Sequence, residues 1–533
     1  MKRHREGRAG WHLLVTVVLW GILLTACQGQ ETAPVNVSVE GGILLEQGLD
    51  QVMIRAVSPE VMILLEGESE QPQPFQVIVN NVRGVDTQVR EAGRLPQEKG
   101  INTENPSSTQ IRFQVELDDQ PRQYRVVWQP EPRDQGYTVA LVGDNQGNDD
   151  VLANIIEEVN QSEALCLLHL GDLVPSGKAQ EYERFLTVME GLDIPWYAVP
   201  GNHDVRGEGA QLFQQHIGPL SYDFQLGNFR FVMLDTSDLG ISEEQLEWLE
   251  TVLITRDEPG IRNVVLTHSP PSDPRGNNHA LLTPGTAKAF LQLLGNPESR
   301  VVGLFSGHVH MFYHDVVEGV HHVISGGAGA RLYAAESEGG FHHYTLIRLG
   351  EALEVAAYPV DAPPRSTDLV VTGTREDLVL TQEELMGLAA IRREGEFQNV
   401  HGNFRSQGMY QGVLLSQLVE LTGEMEPGDQ LRVHSWDGYQ QMFAYENVYP
   451  KAAGWYPYQG DMVLALTYNG KGIPDWEEGY RIAFLPEDGV YDNNDLMKTS
   501  LPGMGGHVYP SAGSLWVRMV NRVEVVPWNR LDP

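Results

Sequence analysis

The sequence predicts a multidomain protein: an N-terminal β-sandwich, a central α/β domain and a C-terminal α+β domain. Three observations predict it. At 533 residues the chain is too long for one ordinary core. The patterning also changes twice along it. Short apolar runs broken by turn residues fill 37–132, β-like and helical runs alternate over 137–360, and the spacing shifts again from 368 to 533. Finally, 41% hydrophobic and 20% charged residues are the composition of folded globular domains. No internal repeat or low-complexity tract is visible.

The chain begins with Lys2, Arg3, Arg5 and Arg8, then an apolar run from Leu13 to Leu24, then Thr25-Ala26-Cys27. This is the pattern of an export signal over residues 1–26. The run falls short of the roughly 20 apolar residues that a bilayer span needs. Leu24-Thr25-Ala26-Cys27 resembles a bacterial lipobox. That resemblance implies that Cys27 is lipidated and becomes the N-terminus, tying an exported lipoprotein to a membrane surface outside the cytoplasm. Residues 27–36 read as a tether. Cys166, within the apolar run 164–170, is the only other cysteine, so no disulfide forms within the processed chain.

Over 37–132 the β-like runs are Val37–Val39, Val52–Arg55, Phe75–Val79, Ile111–Val115 and Tyr124–Trp128, separated by Gly, Pro, Asn and Asp. They predict a β-sandwich that carries no chemistry of its own and serves as a spacer or docking domain. A linker at 130–136 follows.

Then strands end in polar loops. Val139–Val142 runs into Gly143-Asp144, Leu165–Leu170 into Gly171-Asp172, and Pro195–Val199 into Gly201-Asn202-His203-Asp204. Helical spacing over Val151–Val159 and Glu181–Met189 separates them. The alternation continues through Phe231–Leu234, Glu243–Leu253, Val264–Thr267, Thr286–Leu294 and Val301–Phe305, and strands near Val323–Ser325 and His343–Arg348 close the domain. Such construction places a site at the carboxyl edge of the strands.

The strand-end residues have a consistent chemistry. Asp144 and Asp172 offer anionic oxygens, Asn202 a neutral amide oxygen, and His268, His308 and His310 imidazole nitrogens. Mixed oxygen and nitrogen ligation suits Mn, Fe, Zn or Co rather than Ca or a thiolate-bound metal. A pair of divalent ions requires a bridging anion, a role for one carboxylate. In an extended segment His308 and His310 would point the same way.

Five stretches occur in order: Gly143-Asp144-Asn145-Gln146, Gly171-Asp172, Gly201-Asn202-His203-Asp204, Thr267-His268-Ser269-Pro270-Pro271 and Gly307-His308-Val309-His310. With them the stretch 137–350 resembles a calcineurin-like metallophosphoesterase. The resemblance implies two sheets flanked by helices and a pair of divalent ions (Mn, Fe or Zn). Asp144, Asp172 and His310 would hold the first ion. Asp172, Asn202, His268 and His308 would hold the second, with Asp172 bridging. It also implies hydrolysis of a phosphate mono- or diester, with His203 as general acid and Asp204 as its orienting partner. The family's first motif usually ends in histidine. Here that position is Gln146, a weaker metal ligand. Asn277, Asn278 and His279, just beyond the His268 motif, are candidate substrate contacts. Other histidines (His169, His314, His321, His322, His342 and His343) read as core, surface or strand residues.

In the C-terminal part, Gly408 to Leu415, Val433-His434-Ser435-Trp436 and Leu466-Thr467-Tyr468-Asn469-Gly470 resemble the molybdopterin-binding domain of sulfite-oxidase-like oxidoreductases. That family holds its metal through a Cys thiolate, and no Cys follows Cys166, which argues against molybdopterin. His401, Arg405 and His434 are candidate pocket residues there.

A formal net charge of −35 argues against binding nucleic acid through a basic face, so the expected partners are a phosphorylated small molecule or nucleotide and a membrane surface. The alternative reading is a surface lipoprotein that uses its flanking domains for binding, its phosphoesterase core metal-poor and inert.

Overall fold

The computed structural model describes residues 35–92, 101–130, 136–256, 258–276, 279–281, 284–361, 367–436, 439–473, 475–476, 479–508 and 510–528. The export segment, Cys27, most of the tether, most of the linker at 130–136, Asn277 and Asn278 lie outside the described residues. Among the described residues no helix is long and apolar enough to cross a membrane.

The N-terminal part holds β1 (Val35–Glu40), β2 (Gly42–Gln47), β3 (Gln51–Ala56), β4 (Glu60–Gly67), β5 (Gln73–Asn80), β6 (Thr87–Glu91), β7 (Glu104–Ser107), β8 (Gln110–Leu117) and β9 (Arg122–Trp128). They form two sheets, ordered β1-β4-β9-β6 and β2-β3-β5-β8-β7. Residues at alternate positions of both sheets, among them Val61, Ile63, Val77, Phe113, Tyr124 and Val126, share one buried cluster. Four strands, β2, β4, β6 and β7, were not predicted from their own residues. β7 (Glu-Asn-Pro-Ser) is wholly exposed, and β2 is exposed at Leu44, Leu45 and Glu46. Such edge strands form because a partner offers its ladder, not because of their own hydrophobicity.

The central part follows as β10 (Tyr137–Val142), α1 (Asp149–Gln161), β11 (Leu167–His169), α2 (Ala179–Met189), β12 (Trp196–Ala198) and α3 (Gly209–His216). Next come β13 (Tyr222–Leu226), β14 (Phe229–Met233), α4 (Glu243–Glu250), β15 (Arg262–Leu266), α5 (Pro284–Leu294) and β16 (Val301–Ser306). The strands β17 (Phe312–Val317), β18 (Val320–Ser325), β19 (His343–Leu349) and β20 (Leu353–Pro359) complete it. One sheet runs β12-β11-β10-β19-β20 and the other β13-β14-β15-β16-β18-β17. Within them β10, β11 and β12 are parallel, as are β14, β15, β16 and β18.

Three clusters of buried side chains define the layers. Leu141, Leu168, Tyr197, Phe231, Val264 and Phe305 fill the space between the sheets. Val142, Ile155, Phe185 and Phe213 join the outer face of the first sheet to α1, α2 and α3. Val232, Val265, Leu249 and Phe290 do the same for the second sheet with α4 and α5. The result is two sheets back to back between helices, built from strands that are apolar on both faces.

The N-terminal part is not a detached spacer. Its core residues belong to the same buried cluster as those between the central sheets. Asn81, 4% exposed, closes the free edge of β12: its Oδ1 accepts from the Trp196 N–H (2.8 Å) and its Nδ2 donates to the Trp196 carbonyl (2.8 Å). Arg55 donates to the carbonyls of Trp196 (3.2 Å) and Ile217 (3.1 Å), and its guanidinium lies 4.0 Å from the centroid of the Trp196 ring. Both side chains satisfy buried backbone groups that an edge strand otherwise leaves unpaired.

The C-terminal part holds two further five-stranded sheets and its own buried cluster, which includes Tyr410, Val463, Phe484 and Trp516. The strand Phe404–Leu414 runs directly into the helix Leu415–Thr422. His434 is bonded to Glu524 (3.2 Å), whereas His401 and Arg405 lie exposed.

Candidate metal centre

The carboxyl ends of β10, β11, β12, β15 and β16 lead into the loops that carry Asp144, Asp172, Asn202 with His203, His268, and His308 with His310. The turns are tight. Asp144 (φ 65°), Gln146 (φ 43°), Asp172 (φ 56°) and His308 (φ 65°) all sit in the left-handed region, which non-glycine residues seldom occupy. Strain of this kind gathers where a site dictates the backbone. The glycines preceding the ligands permit the close approach. A Cβ on Gly307 would lie 2.6 Å from Asp144 Oδ2, and one on Gly201 would collide with the Asp172 carboxylate.

These loops assemble two overlapping groups. In the first, His310 Nε2 lies 3.4 Å from Asp144 Oδ1, and the potential donors of Asp144, Asp172 and His310 all fall within 4.8 Å of one another. In the second, His268 Nε2 lies 3.4 Å from Asp172 Oδ1, 3.1 Å from Asn202 Oδ1 and 3.2 Å from His308 Nδ1. Asp172 belongs to both.

Backbone carbonyls fix the imidazoles. His268 Nδ1–H donates to Leu170 O (2.8 Å), His310 Nδ1–H to Arg331 O (2.6 Å) and His203 Nδ1–H to Pro175 O (2.6 Å). Each bond leaves Nε2 free to face the site. Carbonyls of this kind set tautomer and ring direction at metal sites. They are side-chain-independent, so no residue pattern announces them.

Electrostatics single out the carboxylates. Burial holds the Asp144 carboxyl well above the usual carboxylate range, against the pull of His268, and its Oδ1 is buried without a hydrogen-bond partner. Burial also opposes ionisation of Asp172, but His268, His203, the His203 N–H and the Gln146 amide outweigh it and hold this carboxyl low. Burial lowers His308 to about 3 and His310 to about 4, so both imidazoles are neutral, as ligands must be. A buried, unpartnered carboxyl oxygen facing a neutral imidazole nitrogen is a site that a positive charge would complete. The donor set fits a divalent cation.

Three expectations need correction. His308 and His310 do not lie on an extended segment: β16 stops at Ser306 and the backbone turns at His308. The two rings therefore reach different groups, one by Nδ1 and the other by Nε2. Gln146 turns its amide nitrogen, not its oxygen, to Asp172 Oδ2 (2.7 Å), because a carboxylate attracts a donor. An N–H cannot ligate a metal, so in this geometry Gln146 is a hydrogen-bond donor to the shared carboxylate. Asp204 does not orient His203. Its carboxylate accepts from the backbone N–H groups of Gly201 (2.7 Å), Asp172 (2.8 Å) and Val174 (3.0 Å), and so clamps the Asp172 loop to the Asn202 loop.

Sequence reasoning did not bring His169 or Tyr333 to the site. His169 Nε2 bonds Asn145 Oδ1 (3.0 Å), and Asn145 Nδ2 donates to Leu173 O (3.0 Å), which ties the first loop to the second. The Tyr333 ring stacks on His310 with centroids 4.0 Å apart. His279 sits at the rim, its ring centroid 5.7 Å from that of His308. The chain-order proximity of His279 to the His268 motif was the one legible signal for that rim.

The calcineurin-like phosphoesterase family profile matches residues 137–312, the span that supplies every one of these side chains up to His310. This segment resembles a calcineurin-like phosphoesterase domain. It is 30% identical over 174 residues to a probable glycerophosphodiester phosphodiesterase of Arcobacter nitrofigilis, covering 27% of this chain and 61% of that one. A 3′,5′-cyclic-nucleotide phosphodiesterase of Nostoc is 29% identical over 110 residues, 20% of this chain and 41% of its own. The chain thus spans about three-fifths of the first relative and two-fifths of the second. Among solved structures, a dimetal phosphatase of Danio rerio aligns with 46% of this chain and 99% of its own, at 18% identity and a TM-score of 0.35.

Proposed function

We propose that the protein is a metal-dependent phosphodiesterase, exported and held at a membrane surface by lipid on Cys27. One observation carries the catalytic part: two donor groups share Asp172, and the first of them contains a buried, unpartnered oxygen of Asp144. Asp144, Asp172 and His310 would hold one divalent ion, and Asp172, Asn202, His268 and His308 the other. The mixed donors favour Mn, Fe or Zn. The relatives' names support a diester, and the basic and apolar run before Cys27 supports export and anchoring.

When bound, such ions neutralise phosphoryl charge and make water acidic enough to act as a nucleophile near neutral pH. The chain's own residues do the rest. Asp204, through three backbone amides, keeps the Asp172 and Asn202 loops in register. His203 is held by Pro175 O with Nε2 toward the site, 4.0 Å from Asp172 Oδ2. In its protonated form Nε2–H is the donor to the departing ester oxygen, a contribution of roughly 10²–10⁴ in rate. Gln146 donates to Asp172 and steadies the carboxylate that both groups share.

The test is turnover of bis(p-nitrophenyl) phosphate by the full chain supplied with Mn, Fe or Zn. His203→Ala should lower kcat on the order of a hundredfold while metal content stays near the wild-type value. Equal turnover in the two proteins would remove His203 from the mechanism. No turnover in the wild type despite bound metal would favour the inert, ligand-binding reading.

A further inference from the structure

The rim of the centre holds a cation that the site cannot use as a cation. Arg275 makes a forked pair with Asp273, Nε to Oδ1 at 3.0 Å and Nη2 to Oδ2 at 2.8 Å, and the Asp273 side chain is 1% exposed. The same guanidinium donates Nη1–H to the Tyr333 carbonyl (3.3 Å) and Nη2–H toward His279 Nδ1 (3.1 Å). It lies 5.0 Å from the Tyr333 ring centroid, and Tyr333 stacks on His310. Arg275 therefore joins the loop after His268 to the loop that covers His310.

Two consequences follow. His279 Nδ1 faces Arg275 Nη2 at 3.1 Å and Asp273 Oδ2 at 3.6 Å; the guanidinium, which only donates, is the one within hydrogen-bond distance, so Nδ1 accepts and the ring hydrogen sits on Nε2. The His279 side chain is 39% exposed, its ring against those of His308 and Tyr333, so this tautomer presents a neutral N–H donor at the mouth of the second donor group. The guanidinium charge, meanwhile, is matched by Asp273. A monoester dianion calls for additional positive charge, whereas a diester carries a single negative charge and is served by a neutral donor.

We propose that Asp273, Arg275 and His279 form a selector that favours phosphodiesters over phosphomonoesters: His279 Nε2–H binds a phosphoryl oxygen, Arg275 positions that ring, and Asp273 keeps the rim from offering a free cation. This rests on the phosphodiesterase reading above and names the residues that set its substrate class. His203 and His279 then divide the work, one serving the leaving oxygen and the other the phosphoryl group.

The experiment compares kcat/KM for bis(p-nitrophenyl) phosphate and p-nitrophenyl phosphate in the Mn-loaded full chain, with metal content measured throughout. His279→Phe keeps an aromatic ring but no donor and should lower the diester value on the order of tenfold. His279→Gln restores an N–H and should recover most of that loss, which a purely structural role would not show. Asp273→Asn preserves shape while releasing the Arg275 charge, and should raise the monoester-to-diester ratio roughly tenfold. Equal losses in His279→Phe and His279→Gln, or an unchanged ratio in Asp273→Asn, overturn the selector alone. A metal-loaded wild type that cleaves neither ester overturns the phosphodiesterase reading and the selector with it.

Discussion

The two halves of the candidate centre are unequal. The half around His268 collects two imidazoles, an amide oxygen and the shared Asp172 carboxylate. The half around His310 has one imidazole, Asp144 and the shared carboxylate, and at its fourth position Gln146 turns an N–H inward. A cation in the first of these meets three ready donors besides Asp172; one in the second meets two. The difference leaves the His310 half one donor short at the position of Gln146, so on the proposed function its ion would be the more weakly held.

Removing the shared group should break the comparison altogether. Asp172→Asn takes the anionic bridge from both halves, so turnover should fall by roughly 10³-fold or more and metal content by elemental analysis should drop below one ion per chain. Retention of two ions would show that the halves are independent.

Breaking one half at a time sharpens it. His268→Ala should lower metal content more than His310→Ala under the same dialysis, by roughly tenfold in the retained fraction. Equal losses would mean that the halves bind alike. Converting the weak half is the next smaller effect. Gln146→His supplies a nitrogen donor in place of an inward N–H and should tighten the weaker ion on the order of tenfold, read as the Mn concentration that half-saturates activity.

How much of this was legible in the sequence depended on what kind of information each feature carries. Asp144, Asp172, Asn202, His268, His308 and His310 were readable because their types recur at strand ends, and the strands announce themselves by continuous apolar runs such as Val139–Val142 and Val264–Thr267. Geometry was less legible. Nothing local says that His308 turns through positive φ, that Gln146 presents nitrogen rather than oxygen, or that Asp204 spends its oxygens on backbone amides. Apart from the Gly201 N–H, the partners of Gln146 and Asp204 lie tens of residues away. The same holds for the N-terminal part, where β7 exists only because β8 offers it a ladder, and for Asn81 and Arg55, whose partners on Trp196 are more than a hundred positions distant.

The smallest expected effect contrasts buried histidines outside the donor set with those inside it. Burial lowers His169 to about 3 and His343 to about 4, both below the ordinary value of 6.5. The unfolded chain therefore takes up these protons first, and stability is lost as pH falls below about 6.5, each residue costing about 2 kcal/mol by pH 5. The thermal unfolding midpoint should drop by a few degrees between pH 7 and 5, and His343→Gln should flatten that dependence. A midpoint independent of pH over this range would mean that these rings are not held neutral.

The most direct measurement is a calorimetric titration of Mn into the chelator-stripped full chain, repeated with Asp144→Ala and Asp172→Asn. The account predicts two binding steps of different affinity in the wild type, loss of only the weaker in Asp144→Ala, and loss or severe weakening of both in Asp172→Asn. A single step in the wild type, or an Asp172→Asn protein that still takes up two ions, would contradict it.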